Sequence, residues 1–329
     1  MKRIINFKLL QLDERKLSEQ WMFWLSILTP LFLSILLSIP LWLQTKIKLS
    51  AEGYDNFLQT FKLPIGVLSL SIPLVAIVAH IHRTIQTAEQ IQTTRKKNAA
   101  DSFFSHHKFM IEAFGKIATK DIEISNSPFE YKIGDSYQLY DIFFTHSSYD
   151  NGINTSYLTK VTSLIESEMN KIESILVKSR EDDCNKIEKI HSLRDISESI
   201  KTIESKLTIT VPRFKTNSLV MDRFEGVTVL HVMDYRYETE LKERLKNLVY
   251  FTKKVFQIIN TPYLEPDTVC FYSRLTTPNY YFFSEVFDDV VLTKMSVRHG
   301  MAIKGGNKYD KQFQEYSSSI AKRKAAKTV

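Results

Sequence analysis

Cysteine occurs only twice in this chain, at Cys184 and Cys270, and glycine only nine times. Two thiols define no disulfide framework and cannot supply a four-thiolate zinc site. Neither Gly-x-Gly-x-x-Gly nor Gly-x-x-x-x-Gly-Lys occurs, and "IKGGNK" is too short and too late in the chain to cradle a phosphate, which speaks against nucleotide hydrolysis. No internal repeat is present. Basic character is also scarcer than the net charge of +7 suggests. Residues 301–329 hold 7 basic and 2 acidic side chains, and residues 82–300 come out near −1, so the excess is a tail rather than a property of a domain. Such a tail, with Lys322, Arg323, Lys324 and Lys327 at its end, suits anionic lipid headgroups, nucleic-acid phosphates or a solvated disordered end.

Long uncharged runs are what the chain does have. "WMFWLSILTPLFLSILLSIPLWL", Trp21 to Leu43, supplies the roughly 20 apolar residues that cross a hydrocarbon core. A cleavable signal peptide would have a shorter apolar region and a small-residue cleavage site, whereas "QTKIKLSAEGYD" follows here, so the run reads as a retained anchor. Leu63 to Ile81 reads as a second crossing, with Pro73 expected to kink it. A buried soluble helix is the rival, and the neighbouring span argues against it. Lys and Arg are denser in residues 1–20 and just after the second span than in the connecting loop, and this bias favours both termini in the cytoplasm. The expected plan is a cytoplasmic N-terminal segment (1–20), spans at 21–43 and 63–81 around a periplasmic loop (44–62), a stalk (82–119), a cytoplasmic domain that regulates or binds a partner (120–300), and the basic tail (301–329).

The second span has no breaker after it: neither glycine nor proline occurs again until Gly115. Ile81, Ile85, Ala88 and Ile91 keep helical spacing, which predicts a continuous stalk helix carrying Arg83, Arg95, Lys96, Lys97, His106 and His107. Residues 121–157 gather turn formers and read as irregular. Leu158 to Leu207 carries two apolar stripes interrupted by "KSREDDCNK", which fits two helices in a hairpin or one long helix with a polar break. "VTVLHV" (227–232), "TVCFY" (268–272) and "YYFF" (280–283) read as short strands around an amphipathic helix near 239–260. The fold class expected is a mainly α membrane protein: a two-span hairpin, a helical stalk and an α-rich domain with a small β element (α+β).

Chemistry-bearing patterns are few. His106 and His107 are adjacent, so on a helix they point about 100° apart and cannot share one metal; packing or a polar contact explains them more simply than catalysis. Asp234, Arg236, Glu238 and Glu240 form a charged cluster whose carboxylates can hold Mg²⁺ as in nucleases, or which simply suits the start of an exposed helix. The expectation is no catalytic residue, no metal and no cofactor. Each span carries one stripe of small or weakly polar residues, Ser26, Pro30, Ser34 and Ser38 in the first and Gly66, Ser69, Pro73, Ala76 and His80 in the second. Such stripes let helices pack closely in lipid. Either the two face each other within one hairpin, or several copies assemble and the stripes line a pore.

"FKLPIGVLSLSIPLVAIVAHIHRTIQTAEQI", followed by "FFSHHKFMIE", resembles the membrane-anchored effectors of bacterial anti-phage systems, in particular the two-transmembrane effector of a retron. The likeness covers Phe61 to Glu112, about one sixth of the chain, and brings no catalytic residues with it. It implies a toxin component of abortive infection that disrupts the bacterial inner membrane on infection, is held silent by a reverse transcriptase with its RNA-linked DNA (msDNA), and touches membrane lipid as a homo-oligomer when active. A membrane-tethered nuclease or hydrolase and a non-toxic membrane scaffold are the alternatives.

Overall fold

Small residues, rather than large apolar ones, form the buried face of the first long helix. The computed structural model describes residues 12–124, 127–180, 184–210, 217–224, 227–293, 301–304 and 307–327. They are mainly helical, with two long apolar helices and small antiparallel β-sheets. The chain divides into two units, Met1–Asn98 and Ala99–Val329.

In the first unit, α1 (Trp21–Trp42) buries Ser26, Pro30, Ser34 and Ser38 and turns most of its leucines and isoleucines, with Phe32, outward. Water-soluble helices do the reverse. Helix α2 (Ala51–Thr60) occupies what reads in the sequence as a loop, started by the Ser50 side chain, which accepts from the Gly53 amide at 3.2 Å. Helix α3 (Lys62–Ser69) packs on α1 and ends one residue before α4 (Ser71–Gly115). The break at Leu70 has its cause at Pro73, which lacks an N–H for the Ser69 carbonyl and sits in the first turn of α4. The expected kink therefore falls three residues before the proline. Both α1 and the segment Lys62–Gly115 contain a stretch long and apolar enough to cross a membrane.

The second unit is built around α8 (Glu238–Ile258), whose Leu241, Leu245, Leu248, Phe251, Val255 and Phe256 are fully buried or nearly so. Helices α6 (Leu158–Ser179) and α7 (Lys186–Lys206) pair through the two stripes expected of them, as two helices with a break between. A four-stranded antiparallel sheet runs in the order β5 (Val291–Thr293), β3 (Asn217–Phe224), β4 (Val227–Met233), β6 (Met301–Lys304).

Three expectations are corrected here. Residues 121–157 are not irregular throughout: β1 (Lys120–Ile124) and β2 (Ser127–Tyr131) pair with Lys120 opposite Tyr131, and α5 (Ser136–Phe143) follows. Among the turn formers there, Asp135 is a helix cap, accepting from the amides of Tyr137 and Gln138 at 2.9 and 3.0 Å. The run 268–272 is not a strand but lies inside α9 (Asp267–Arg274). Its β-branched and aromatic residues are overruled by a cap from another helix: the Glu173 carboxylate accepts from the amides of Thr268 and Val269, each at 2.8 Å. Residues 280–283 likewise form no strand; they close a 3₁₀ turn (Pro278–Tyr280) and lead into α10 (Ser284–Phe287). The end of the chain, for which a solvated disordered end was one reading, carries α11 (Asn307–Lys327).

Candidate functional site

The two small-residue stripes of the first unit do not face each other. Stripe one is buried, whereas Gly66, Ser69, Pro73, Ala76 and His80 are all exposed. The face that α3 and α4 bury is Pro64, Val78 and His82, with Val67, Ser71 and Val75 half-buried between them. Pro64 and Gly66, Pro73 and Val75, Val78 and His80 are each two residues apart, or about 200° around a helix. The second stripe thus lies on the side away from the hairpin's own packing, and sequence spacing could not say which of two periodic stripes would be used inside the chain. It continues through exposed Thr84, Thr87, Ile91 and Thr94.

Five hydroxyls along the two stripes are satisfied by their own helix. Ser26 donates to the Phe23 carbonyl at 2.6 Å, Ser38 to Ser34 at 2.8 Å, Ser69 to Gly66 at 2.7 Å, Thr84 to His80 at 3.0 Å and Thr87 to Arg83 at 2.9 Å. What each stripe presents sideways is therefore small and effectively apolar. His82 is placed differently from His80: its Nε2 lies 2.6 Å from the Arg15 carbonyl and so carries the proton that it donates there. Arg83, Arg95, Lys96 and Lys97 are exposed along α4.

In the second unit the polar residues converge on two buried centres. Arg244, about 1 % exposed, donates from Nε and Nη2 to both oxygens of Glu204 at 2.7 and 2.6 Å, and from Nη1 to the Tyr235 hydroxyl at 3.1 Å; the Tyr131 hydroxyl donates to Glu204 at 2.8 Å. Burial works against the Arg244 charge, but Tyr235 and Glu204 hold it on, and burial pushes both tyrosine hydroxyls up. At the start of α8, Glu238 accepts from the Tyr272 hydroxyl and the Phe282 amide at 2.8 Å and from Phe283 at 3.2 Å. Burial nonetheless raises its carboxyl above the ordinary value. Lys242 donates to the Leu275 carbonyl at 2.8 Å over the Tyr281 ring, and burial lowers its ammonium.

These centres absorb the acidic cluster seen in the sequence. Asp234 pairs with Lys201 at 2.6 Å, and Glu240 accepts from the Arg236 amide at 2.7 Å in the manner of a helix cap. The four residues do not converge on one point, and among the described residues no group of three or more His, Cys, Asp or Glu can hold a metal ion. A cleft of about 250 Å³ opens beside them, lined by Ile190, Leu193, Ser197, Lys201, Asp234 and Tyr235. His106 packs edge-on against Phe144 with its Nδ1 3.1 Å from the Tyr140 hydroxyl, and burial lowers its imidazole; His107 stands edge-on to Tyr140. The pair is thus part of the packing between α4 and α5.

Two basic residues of α11, Arg323 and Lys324, also have partners inside the unit. Arg323 donates to the carbonyls of Val290 at 3.0 Å and Asp288 at 3.3 Å, Lys324 pairs with Asp289 at 3.1 Å, Tyr316 donates to the Asp289 carbonyl at 2.7 Å, and Ile320 is buried. Lys322 is exposed, and Lys327 ends the helix. Sequence reasoning missed Glu173, Glu204, Lys242 and Arg244, though a signal existed: Glu204 and Arg244 interrupt the otherwise apolar faces of α7 and α8, and a charge there needs a buried partner. No protein-family model, curated protein or solved structure matches the chain.

Proposed function

We propose that the protein is a non-enzymatic membrane effector of retron-type anti-phage defence, the toxin component of an abortive-infection system. It crosses the bacterial inner membrane twice with both termini cytoplasmic, and a reverse transcriptase with its RNA-linked DNA holds it silent through the domain that begins near residue 99. Infection releases that restraint, copies associate, and the membrane is breached.

One observation carries the reading: the hairpin buries serines and exposes leucines, and leaves a second small-residue stripe unused on its outer side. Lipid is the solvent in which such a helix pair is stable, because hydrocarbon exacts no penalty for exposed leucine and close backbone approach supplies the attraction. Two helices cannot enclose an aqueous path, so breaching a membrane requires copies, and Gly66, Ser69, Pro73 and Ala76 are the face on which they meet. The exposed length of α4 beyond that stripe gives the domain a means of controlling the approach. The acids on which the tethered-enzyme reading relied, Asp234, Glu238 and Glu240, are each engaged in structural bonds.

The test is membrane potential and dye uptake in cells producing the protein alone, then with its neighbouring genes, then under phage challenge. Depolarisation that the neighbours suppress and infection restores is the expected result. Ala76→Leu should abolish it while the protein still inserts and its hairpin still forms, because Ala76 touches no part of the chain's own packing. A potential that stays intact through challenge while nucleic acid is lost would overturn the proposal.

A further inference from the structure

At the end of α1 the chain folds back on itself and leaves a cavity of about 870 Å³, within the range of small-molecule sites. Its floor is aromatic: Trp42 lies 6.4 Å from Phe61, and Phe57 stacks on Phe61 at 4.7 Å. Ile47 and Leu49 complete the lining and are 95 % and 84 % exposed, which leaves both open to an apolar ligand.

The wall of the cavity is set by a close approach. A Cβ on Gly53 would stand 1.9 Å from the Lys48 carbonyl oxygen, so only glycine lets the segment before α2 close onto that helix. The polar rim is cationic. Lys46 and Lys48 line the cavity, and Lys62 lines the groove beside it. The acidic side chains of α2 are turned to local duties: Glu52 pairs with Lys48 at 2.7 Å, and Asp55 accepts from the Gln59 amide at 3.0 Å. Lys46 stands exposed on the rim.

An aromatic and aliphatic floor under a lysine rim, at the end of an apolar helix, has the chemistry of one ligand class. The geometry points to a binding site for a single anionic phospholipid, its phosphate at Lys46 and its acyl chain along Trp42, Ile47, Leu49 and Phe57. The inference rests on the reading that α1 crosses a membrane, which puts Trp42 and this cavity at headgroup depth. Charge complementarity selects the anionic lipid over a zwitterionic one, whose own ammonium would oppose the rim.

Trp42 reports occupancy directly. The full chain carrying Trp21→Phe and Trp24→Phe keeps Trp42 as its one tryptophan and can be reconstituted in vesicles containing phosphatidylglycerol or phosphatidylcholine with brominated acyl chains. Quenching by brominated phosphatidylglycerol should reach half its maximum at a several-fold lower mole fraction than with phosphatidylcholine. Lys46→Gln should bring the two curves together. Gly53→Ala should do so through the cavity wall, independently of charge. Equal quenching by both lipids in the chain with Lys46 and Gly53 intact would overturn the site while leaving the span in place. Absence of quenching by either would instead remove Trp42 from the bilayer and overturn the membrane reading on which the site depends.

Discussion

The two units of this chain solve the same problem, buried polar atoms, in opposite ways. In the helical hairpin the Ser26, Ser38 and Ser69 hydroxyls are each bonded to a carbonyl three or four residues earlier in the same helix, so these hydroxyls need no neighbouring helix for hydrogen bonding. In the second unit the buried polar atoms are satisfied between elements far apart in sequence: Glu204 of α7 holds Arg244 of α8 and Tyr131 of β2, and Glu173 of α6 caps α9. The first arrangement lets helices slide, separate and re-pair at little cost. The second ties each element to one place. The proposed membrane effector would use both properties, a bundle that can rearrange and a domain that holds its shape until the proposed partner lets go.

The comparison is broken most directly at Arg244. Arg244→Ala strands a buried carboxylate and takes the partner from Tyr235, and it should destabilise the second unit by about 3–5 kcal/mol. The first unit should not respond. All three tryptophans lie in the first unit and Tyr54 is its one tyrosine, so tryptophan fluorescence follows the hairpin and tyrosine near-ultraviolet circular dichroism follows the domain in the same denaturation. Equal losses in both signals would mean that the two units do not differ as described.

Glu238 gives the next effect. Its carboxyl titrates above the ordinary value because it is buried, although Tyr272, the Phe283 and Phe282 amides and Lys242 oppose the shift. The folded state therefore keeps a proton that the unfolded state has already released, and stability falls as pH rises from about 4.5 through the raised value, with a slope of at most about 1.4 kcal/mol per pH unit. Glu238→Gln cannot titrate. Denaturation of the domain across this window should be flatter in the variant, and an unchanged slope would assign it to other groups.

What could be read from residues alone follows the same division. The two long apolar helices, the uninterrupted α4 and the paired stripes of α6 and α7 are local patterns, and such patterns survive without tertiary information. α9 is the contrary case. "TVCFY" carries strand propensity, and the cap that makes it a helix comes from Glu173, nearly a hundred residues earlier. In the basic tail, likewise, charge counting cannot see that Arg323 and Lys324 meet the carbonyls of Val290 and Asp288 and the carboxylate of Asp289. For the candidate site, the stripes were legible as stripes, but which of them packs within the hairpin depends on where Pro64, Val78 and His82 fall once α3 and α4 have broken at Leu70.

α11 sits between the two regimes, a helix held by a handful of partly exposed contacts. Arg323→Ala should loosen it by no more than about 1 kcal/mol, because exposed charged contacts are weak, and the change should show as faster amide exchange over residues 307–327 with the rest of the unit unaffected. Protection that stays the same would place the holding contacts at Tyr316 and Ile320 instead.

The smallest effect is the most diagnostic for the hairpin. The Ser38 hydroxyl is buried and bonded, which in the second unit would make its removal expensive. Its acceptor, however, is the Ser34 carbonyl one turn back in the same helix, and a helix in detergent keeps that bond when the hairpin comes apart. Deleting the hydroxyl then changes both states alike, so Ser38→Ala should shift hairpin separation, followed by tryptophan fluorescence in mixed micelles, by less than about 0.5 kcal/mol. Ser38→Leu should separate the hairpin at much lower denaturant, because the same site is packed too closely for a branched side chain. A large loss in Ser38→Ala would mean that the hydroxyl bonds across to the partner helix, and that this stripe is held by hydrogen bonding rather than by fit.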